Sequence, residues 1–485
     1  MNVITVLIDS LNRHMIGPYG GEVPTPNMDR LAARGVVFDN HFIGSAPCMP
    51  ARRDLMTGRK EFLWRGWGPL EPFDDPIAVR ARQAGAVTAI VTDHYHYWEY
   101  PAHGYLEHFD AVRMIRGHEL DMYNTDTLAS VPRWAQNIDQ WRPGWGTRYY
   151  NNVKDYREEK DFFAPRTMAE ACDWLDGNHA HDPFMLWMEC FDVHEPFHVP
   201  EPYRSMFTGE ELDDHNCWPP YQTGYHGHEE KWWETASEQE VAYVRAQYKG
   251  KIAMVDAHLG KLLERMDRYN LWDNTMIVLT TDHGHELGEK ERFGKQPPHY
   301  DLHANIPLIL CMPGLEPGRR EALTTAVDIY PTILEALGAD ASAPHGRSLL
   351  PLARGETDRH REAVVYGTFA CGATITDGRY TYHTGWDAQA PVYEYCATML
   401  YPEPEATAGK YLPGVDCPVW RMPRQSLPEV EELLFDRIAD PGQERNILAE
   451  RPDVRRQMRE LLCREMAAET VPPEQYRRLR LDEAE

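Results

Sequence analysis

The sequence predicts an α/β fold: a doubly wound, mostly parallel sheet flanked by helices, followed by a smaller C-terminal α+β domain. Three observations carry this. Four continuous apolar runs of strand length each end in polar residues able to do chemistry. Segments with helical spacing lie between them, so the order is β–α–β. After about residue 350 the strand-like runs shorten and proline-rich sequence takes over.

The first run, Val3 to Ile8, leads into Asp9. Runs without polar alternation suit strands covered on both faces. Thr25 is placed to cap a helix with Pro26 at its first position and Gly35 past its end. The second run, Ala86 to Val91, precedes Asp93, and the third, Phe184 to Phe191, precedes His194. Val255, Leu259, Leu262 and Leu263 then mark one helix face before the fourth run, Met276 to Leu279, which precedes Asp282. In open α/β sheets ligands collect outside the carboxyl ends of the strands, so four such ends converge where an active site belongs.

Residues 112 to 168 and 200 to 240 are rich in Trp, Tyr, Pro and charge without clear periodicity, and read as insertions or lids outside the core. The boundary is placed at residue 350, giving a catalytic unit over 1–350 and a smaller unit over 351–485. The latter holds short strands at Ala363 to Tyr366 and Arg379 to His383, and irregular sequence over 400 to 423. Its last helix starts at Pro452 and turns Val454, Met458, Leu461, Leu462 and Met466 to one side.

With 485 residues and 42% apolar composition the chain can bury a large core. A net charge of −26 argues against nucleic acid or an anionic membrane as partner. Nine cysteines without paired spacing fit reduced thiols better than a disulfide framework or structural zinc. No stretch reaches membrane-spanning length, and no charged leader precedes Val3, so a cytoplasmic protein is expected. Oligomeric state is not legible.

The densest chemical signal is Cys48-Met49-Pro50-Ala51-Arg52, followed by Thr57-Gly58-Arg59. Pro50 suits a first helical turn and Gly58 a helix stop, and a helix N-terminus favours a bound anion. Arg52, Arg53, Arg59, Lys60 and Arg65 crowd the same segment. A packing cysteine has no use for that company, whereas a nucleophile for an anionic ester does.

This spacing resembles the sulfatase signature, in which the cysteine is oxidised to a formylglycine aldehyde by a maturation enzyme. Other segments resemble the family in the expected order: Thr25 to Leu31, Asp282-His283-Gly284-His285-Glu286, Gly346-Arg347-Ser348-Leu349, and Glu432 to Asp436 with Asp440-Pro441. The resemblance implies an alkaline phosphatase-like fold and one divalent cation held by Asp9, Cys48, Asp282 and His283. Calcium is the first expectation, with magnesium, manganese or zinc open. It further implies that Arg52 supports the formylglycine, that Lys295 contacts sulfate oxygens and that His194 protonates the departing alcohol.

Three departures stand out. Met49 replaces a small or hydroxyl residue, and Ser10 stands where many relatives carry a second acid. Thr92-Asp93-His94-Tyr95-His96 replaces a Gly-Lys-x-His segment, so Asp93 takes the place of a lysine, and either His94 or His96 supplies the missing histidine. The expected activity is hydrolysis of an aryl or carbohydrate sulfate ester. Losing the lysine makes a phosphonate monoester or phosphodiester hydrolase the alternative, and an inactive glycan-binding relative is the alternative of another class.

Overall fold

The computed structural model describes residues 1–221, 232–399 and 402–482. Its strands in chain order are β1 (Asn2–Ile8), β2 (Val36–Phe42), β3 (Ser45–Ala46), β4 (Val87–Thr92), β5 (Ala111–Met114) and β6 (Phe184–Cys190). Then come β7 (Thr275–Thr280), β8 (Glu286–Leu287), β9 (Phe293–Gly294), β10 (Leu308–Cys311), β11 (Gly318–Thr325) and β12 (Val364–Thr368). The last are β13 (Ala373–Thr376), β14 (Tyr380–His383), β15 (Val392–Cys396), β16 (Thr407–Gly409), β17 (Val419–Arg424) and β18 (Leu433–Asp436).

The main sheet has the order β11-β2-β10-β7-β1-β6-β4-β5. Neighbours are parallel except at β10, which runs antiparallel to both β7 and β2. The four runs read from the sequence are the adjacent central strands β7, β1, β6 and β4. Their burial on both faces explains the missing alternation. Ile4, Val6 and Ile8 of β1 pack into one layer with the helices Pro26–Arg34, Phe163–Asn178 and Glu238–Arg268. Val3 and Leu7 pack into the opposite layer with the helices Cys48–Thr57, Ile77–Gln83 and Ile329–Leu337. This is the doubly wound arrangement.

A second sheet, β18-β14-β13-β12-β3, draws its last strand from the N-terminal part of the chain: Ser45 and Ala46 pair in parallel with Gly367 and Thr368. The helix Pro452–Ala468 buries the five apolar residues read from the sequence, but it is not the last, because a short helix, Glu474–Arg478, follows it.

Three expectations are corrected. Thr25 does not cap its helix; its hydroxyl accepts from Gly17 N, and Asp256 of the helix Glu238–Arg268 accepts from Asn27 N and Met28 N instead. Residues 112–168 are not a lid outside the core, because Trp134, Ile138, Tyr149 and Val153 join the main core cluster. The helices here, Arg133–Asp139 and Trp145–Val153, are too short for their spacing to stand out. Within 400 to 423, β16 and β17 form a small sheet with β15. Residues 222–231 of the second insertion, and 400 and 401, lie outside the described residues. Among the described residues no helix is long and apolar enough to cross a membrane.

Candidate active site

The carboxyl ends of β1, β4, β6 and β7 meet the start of the helix Cys48–Thr57. That helix ends at Gly58 with φ 64°, a left-handed stop at which a Cβ would strike the Tyr330 ring. At its other end Cys48 Sγ lies 3.2 Å from His283 Nε2 and 3.5 Å from Lys295 Nζ. His283 uses Nδ1 to bond the Gly284 carbonyl at 2.8 Å, which leaves Nε2 facing the thiol. Burial pushes His283 down to about 3, so it is a neutral donor atom rather than a cation.

Asp9, Cys48, Asp282 and His283 each turn one ligand atom to a common point, all within 4.8 Å of one another and all buried. Burial raises Asp9 above the usual carboxylate range, and the neighbouring charge of Asp282 raises it further. Burial acts on Asp282 in the same sense but is outweighed by His283, to the extent that ring carries a proton, and by Arg52, so the carboxyl is held low. Two buried carboxylates forced together with a neutral imidazole fit a divalent cation, which relieves their repulsion. Ser10 adds no ligand; its hydroxyl donates to Asp9 Oδ1 at 2.7 Å and its amide to Asp282 Oδ1 at 3.1 Å.

Arg52 ties this rim together. Its Nη2 donates to Asp9 Oδ2 at 2.6 Å, and its Nη1 to Asp282 Oδ2 at 2.7 Å and to the Cys48 carbonyl at 3.1 Å. Its Nε donates to Glu189 Oε1 at 2.6 Å. Glu189 was missed by sequence reasoning. Its signal is a lone carboxylate inside the apolar run of β6, and Tyr97 OH supplies its other oxygen with a bond of 2.9 Å.

Lys295 Nζ and His194 Nε2 are 2.5 Å apart. His194 Nδ1 bonds the Glu195 carbonyl at 2.8 Å, so its Nε2 lone pair receives the lysine proton. Burial lowers His194 well below its ordinary value. Burial acts to lower Lys295 too, but Cys48, Glu195, Asp9 and Asp282 outweigh it and keep the ammonium charged. The shared proton therefore rests on Lys295. The His194 loop is pinned by Lys251, which donates to Asp192 Oδ1 and to the His194 carbonyl, both at 2.6 Å.

Asp93 does not face the cavity; its Oδ1 accepts from Phe191 N at 2.6 Å. The two histidines beyond it part company. His94 is buried 3.9 Å from Asp9 Oδ2, and neither of its ring nitrogens is hydrogen-bonded. His96 lies on the wall of a cavity of about 430 Å³, shared with Cys48, His194 and Lys295. Trp67 lines the same cavity together with Trp145 from residues 112–168 and Trp218 from residues 200–240, so both of those regions contribute to its wall.

A doubly wound sheet whose strand-end carboxylates meet a buried cysteine at a helix N-terminus is the arrangement of an alkaline phosphatase-like hydrolase. The family profile described as Sulfatase matches residues 1–339, and the chain belongs to the sulfatase family. It is 24% identical to a choline-sulfatase of Rhizobium meliloti, over 79% of this chain and 77% of that one. It is 27% identical to the multifunctional alkaline phosphatase superfamily protein PehA of Trinickia caryophylli, over 75% and 79%. Among solved structures, a phosphonate monoester hydrolase of Agrobacterium radiobacter superposes with a TM-score of 0.69 at 22% identity, covering 96% of each chain. A 2-O GAG sulfatase superposes with a TM-score of 0.62 at 17% identity, covering 97% of this chain and 92% of that one.

Proposed function

We propose that the protein hydrolyses a sulfate monoester, aryl or carbohydrate, with residue 48 converted to formylglycine. The observation that carries this reading is the convergence of Cys48 Sγ on His283 and Lys295 within 3.5 Å, inside the four-residue cluster with Asp9 and Asp282. Those four residues would hold one divalent cation, calcium first and otherwise magnesium, manganese or zinc. When bound, it would polarise a sulfate oxygen and lower the pKa of the attacking hydroxyl.

The chain's own groups account for the rest. One hydroxyl of the hydrated aldehyde gives up its proton to water and attacks sulfur, a new S–O bond forms and the bond to the alcohol oxygen breaks. Lys295 offsets the developing negative charge. The departing oxygen takes the proton that rests on Lys295, which passes across the 2.5 Å contact to His194 Nε2 and from there to the alcohol, so Lys295 offsets charge until it gives up that proton and the pair acts as the acid, not the histidine alone. The second hydroxyl then loses its proton, the C=O bond re-forms and the bond from carbon to the sulfate oxygen breaks. Sulfate leaves and the aldehyde is regenerated. His94, buried beside Asp9 with both nitrogens uncommitted, is suited to receive that second proton.

A second reading, a phosphonate monoester hydrolase, is favoured by the 0.69 superposition and by Asp93 in place of a lysine. Assays of an aryl sulfate and an aryl phosphonate monoester, at equal enzyme and calcium, separate the two. A larger kcat/KM for the sulfate is expected, and a larger value for the phosphonate overturns it. Saturable glycan binding with turnover of neither ester identifies an inactive relative.

A further inference from the structure

We propose that Glu119 is a specificity-determining residue, accepting a hydrogen bond from a hydroxyl or ammonium group on the alcohol half of the ester. The inference rests on the functional reading above and concerns the part of the substrate that does not react. Glu119 lies on the wall of the cavity that also holds Cys48, His194 and Lys295. It is only 7% exposed, yet its Oε2 has no hydrogen-bond partner. His96 Nε2 stands 3.6 Å away, too far for a bond, and the Nδ1 of that ring is committed to Glu99 at 2.6 Å.

The backbone at Glu119 is left-handed, φ 47°, a conformation that costs any residue but glycine and persists where its surroundings impose it. Burial pushes the carboxyl above its ordinary range and Glu195 adds to this, with Lys295 and, more weakly, the neighbouring Tyr95 hydroxyl pulling the other way. A buried carboxyl oxygen without a donor is an expensive state, and a donor on an incoming ligand relieves it. The sulfate end cannot be that ligand group, because its oxygens carry no hydrogen to donate, which leaves the alcohol. Trp67, Trp145 and Trp218 provide an apolar wall for its carbon skeleton.

The test is kcat/KM for n-propyl, 2-hydroxyethyl and 2-aminoethyl sulfates and choline sulfate, on wild type, Glu119→Gln and Glu119→Ala, with the same alcohols also supplied as methylphosphonate monoesters. Wild type is expected to favour the hydroxyethyl and aminoethyl esters over propyl by about ten- to a hundredfold, as one bond to a charged group allows. Choline, charged but without an N–H donor, should behave like propyl. Glu119→Ala should erase the preference, and Glu119→Gln should keep part of it for the hydroxyl ester only. Ratios taken within one preparation cancel any misfolded fraction. Equal loss on every ester would make Glu119 merely structural and overturn the proposal, as would choline matching the aminoethyl ester. If wild type hydrolysed an aryl sulfate or aryl phosphonate but turned over neither alkyl series, this proposal alone would fall; if it hydrolysed no aryl ester either, the functional reading would fall and this proposal with it.

Discussion

Replacing Arg52 by lysine tests whether its guanidinium is the internal counter-charge of the reaction centre. Three buried carboxylates, Asp9, Asp282 and Glu189, each receive a bond of 2.6 or 2.7 Å from a different nitrogen of that one side chain. Lysine keeps the charge but presents a single ammonium and cannot span the three. At least one charge-assisted bond is lost, at about 1.5–3 kcal/mol. If a carboxylate is left wholly unpaired the cost rises to about 3–5 kcal/mol. Denaturant unfolding followed by tryptophan fluorescence, in chelator and again in calcium, reads this directly. Calcium should restore part of the deficit in Arg52→Lys, since the cation serves Asp9 and Asp282, while the share belonging to Glu189 stays lost. The reasoning is refuted if the variant loses less than about 0.5 kcal/mol, the scale of an inert surface change. It is equally refuted if calcium stabilises wild type and variant alike.

Cys48→Ser should fold normally and lose turnover, and a peptide mass showing the aldehyde at position 48 in active wild type should vanish in the variant; wild-type rates from serine would sink the mechanism. Dialysis against chelator should abolish hydrolysis and calcium should restore it, whereas full activity after chelation would remove the cation from the scheme. Lys295→Ala is expected to lower kcat by about a hundred- to a thousandfold, the scale of losing a preorganised charge-stabilising donor, and steady-state assays showing less than a tenfold fall would contradict it. Burial pushes His41 down to about 3 from an ordinary 6.5, so the folded state resists protonating it. Its contribution to stability is complete above about pH 6.5 and is lost as pH falls toward 3, at no more than about 1.4 kcal/mol per pH unit. Denaturation midpoints of His41→Asn should fall less steeply over that range, and an unchanged slope would show that His41 is not responsible.

The central strands were legible because being covered on both faces turns them into unbroken apolar runs, and their polar ends marked the rim. Asp9, Cys48, Asp282 and His283, four residues that could hold a cation, were named only because their segments resemble those of the sulfatase family, and the fold brings their ligand atoms within 4.8 Å of one another. What stayed hidden was held by long-range partners. Lys251 meets Asp192 and the His194 carbonyl from a helix 57 to 59 residues further along the chain, and Asp256 caps a helix from 229 residues away. No local pattern encodes such pairs. Strand β10 was missed because four residues, Leu308–Cys311, are too few to separate a strand from any buried apolar stretch. Glu189 is the exception that was readable, since a carboxylate inside a strand run demands a cationic neighbour.

The pairing of β3 with β12 places the last residue of a backbone ladder, Ala46, two positions ahead of Cys48. Lys60, just past the end of the Cys48 helix, is likewise anchored to the Val365 carbonyl and to Glu469. The Cys48 segment is thus braced from both sides by sequence more than three hundred residues away. Engineers who swap or trim the tail to alter what the enzyme accepts will be adjusting the seat of the reaction as well. Selection acting on either region should find changes in one answered by changes in the other.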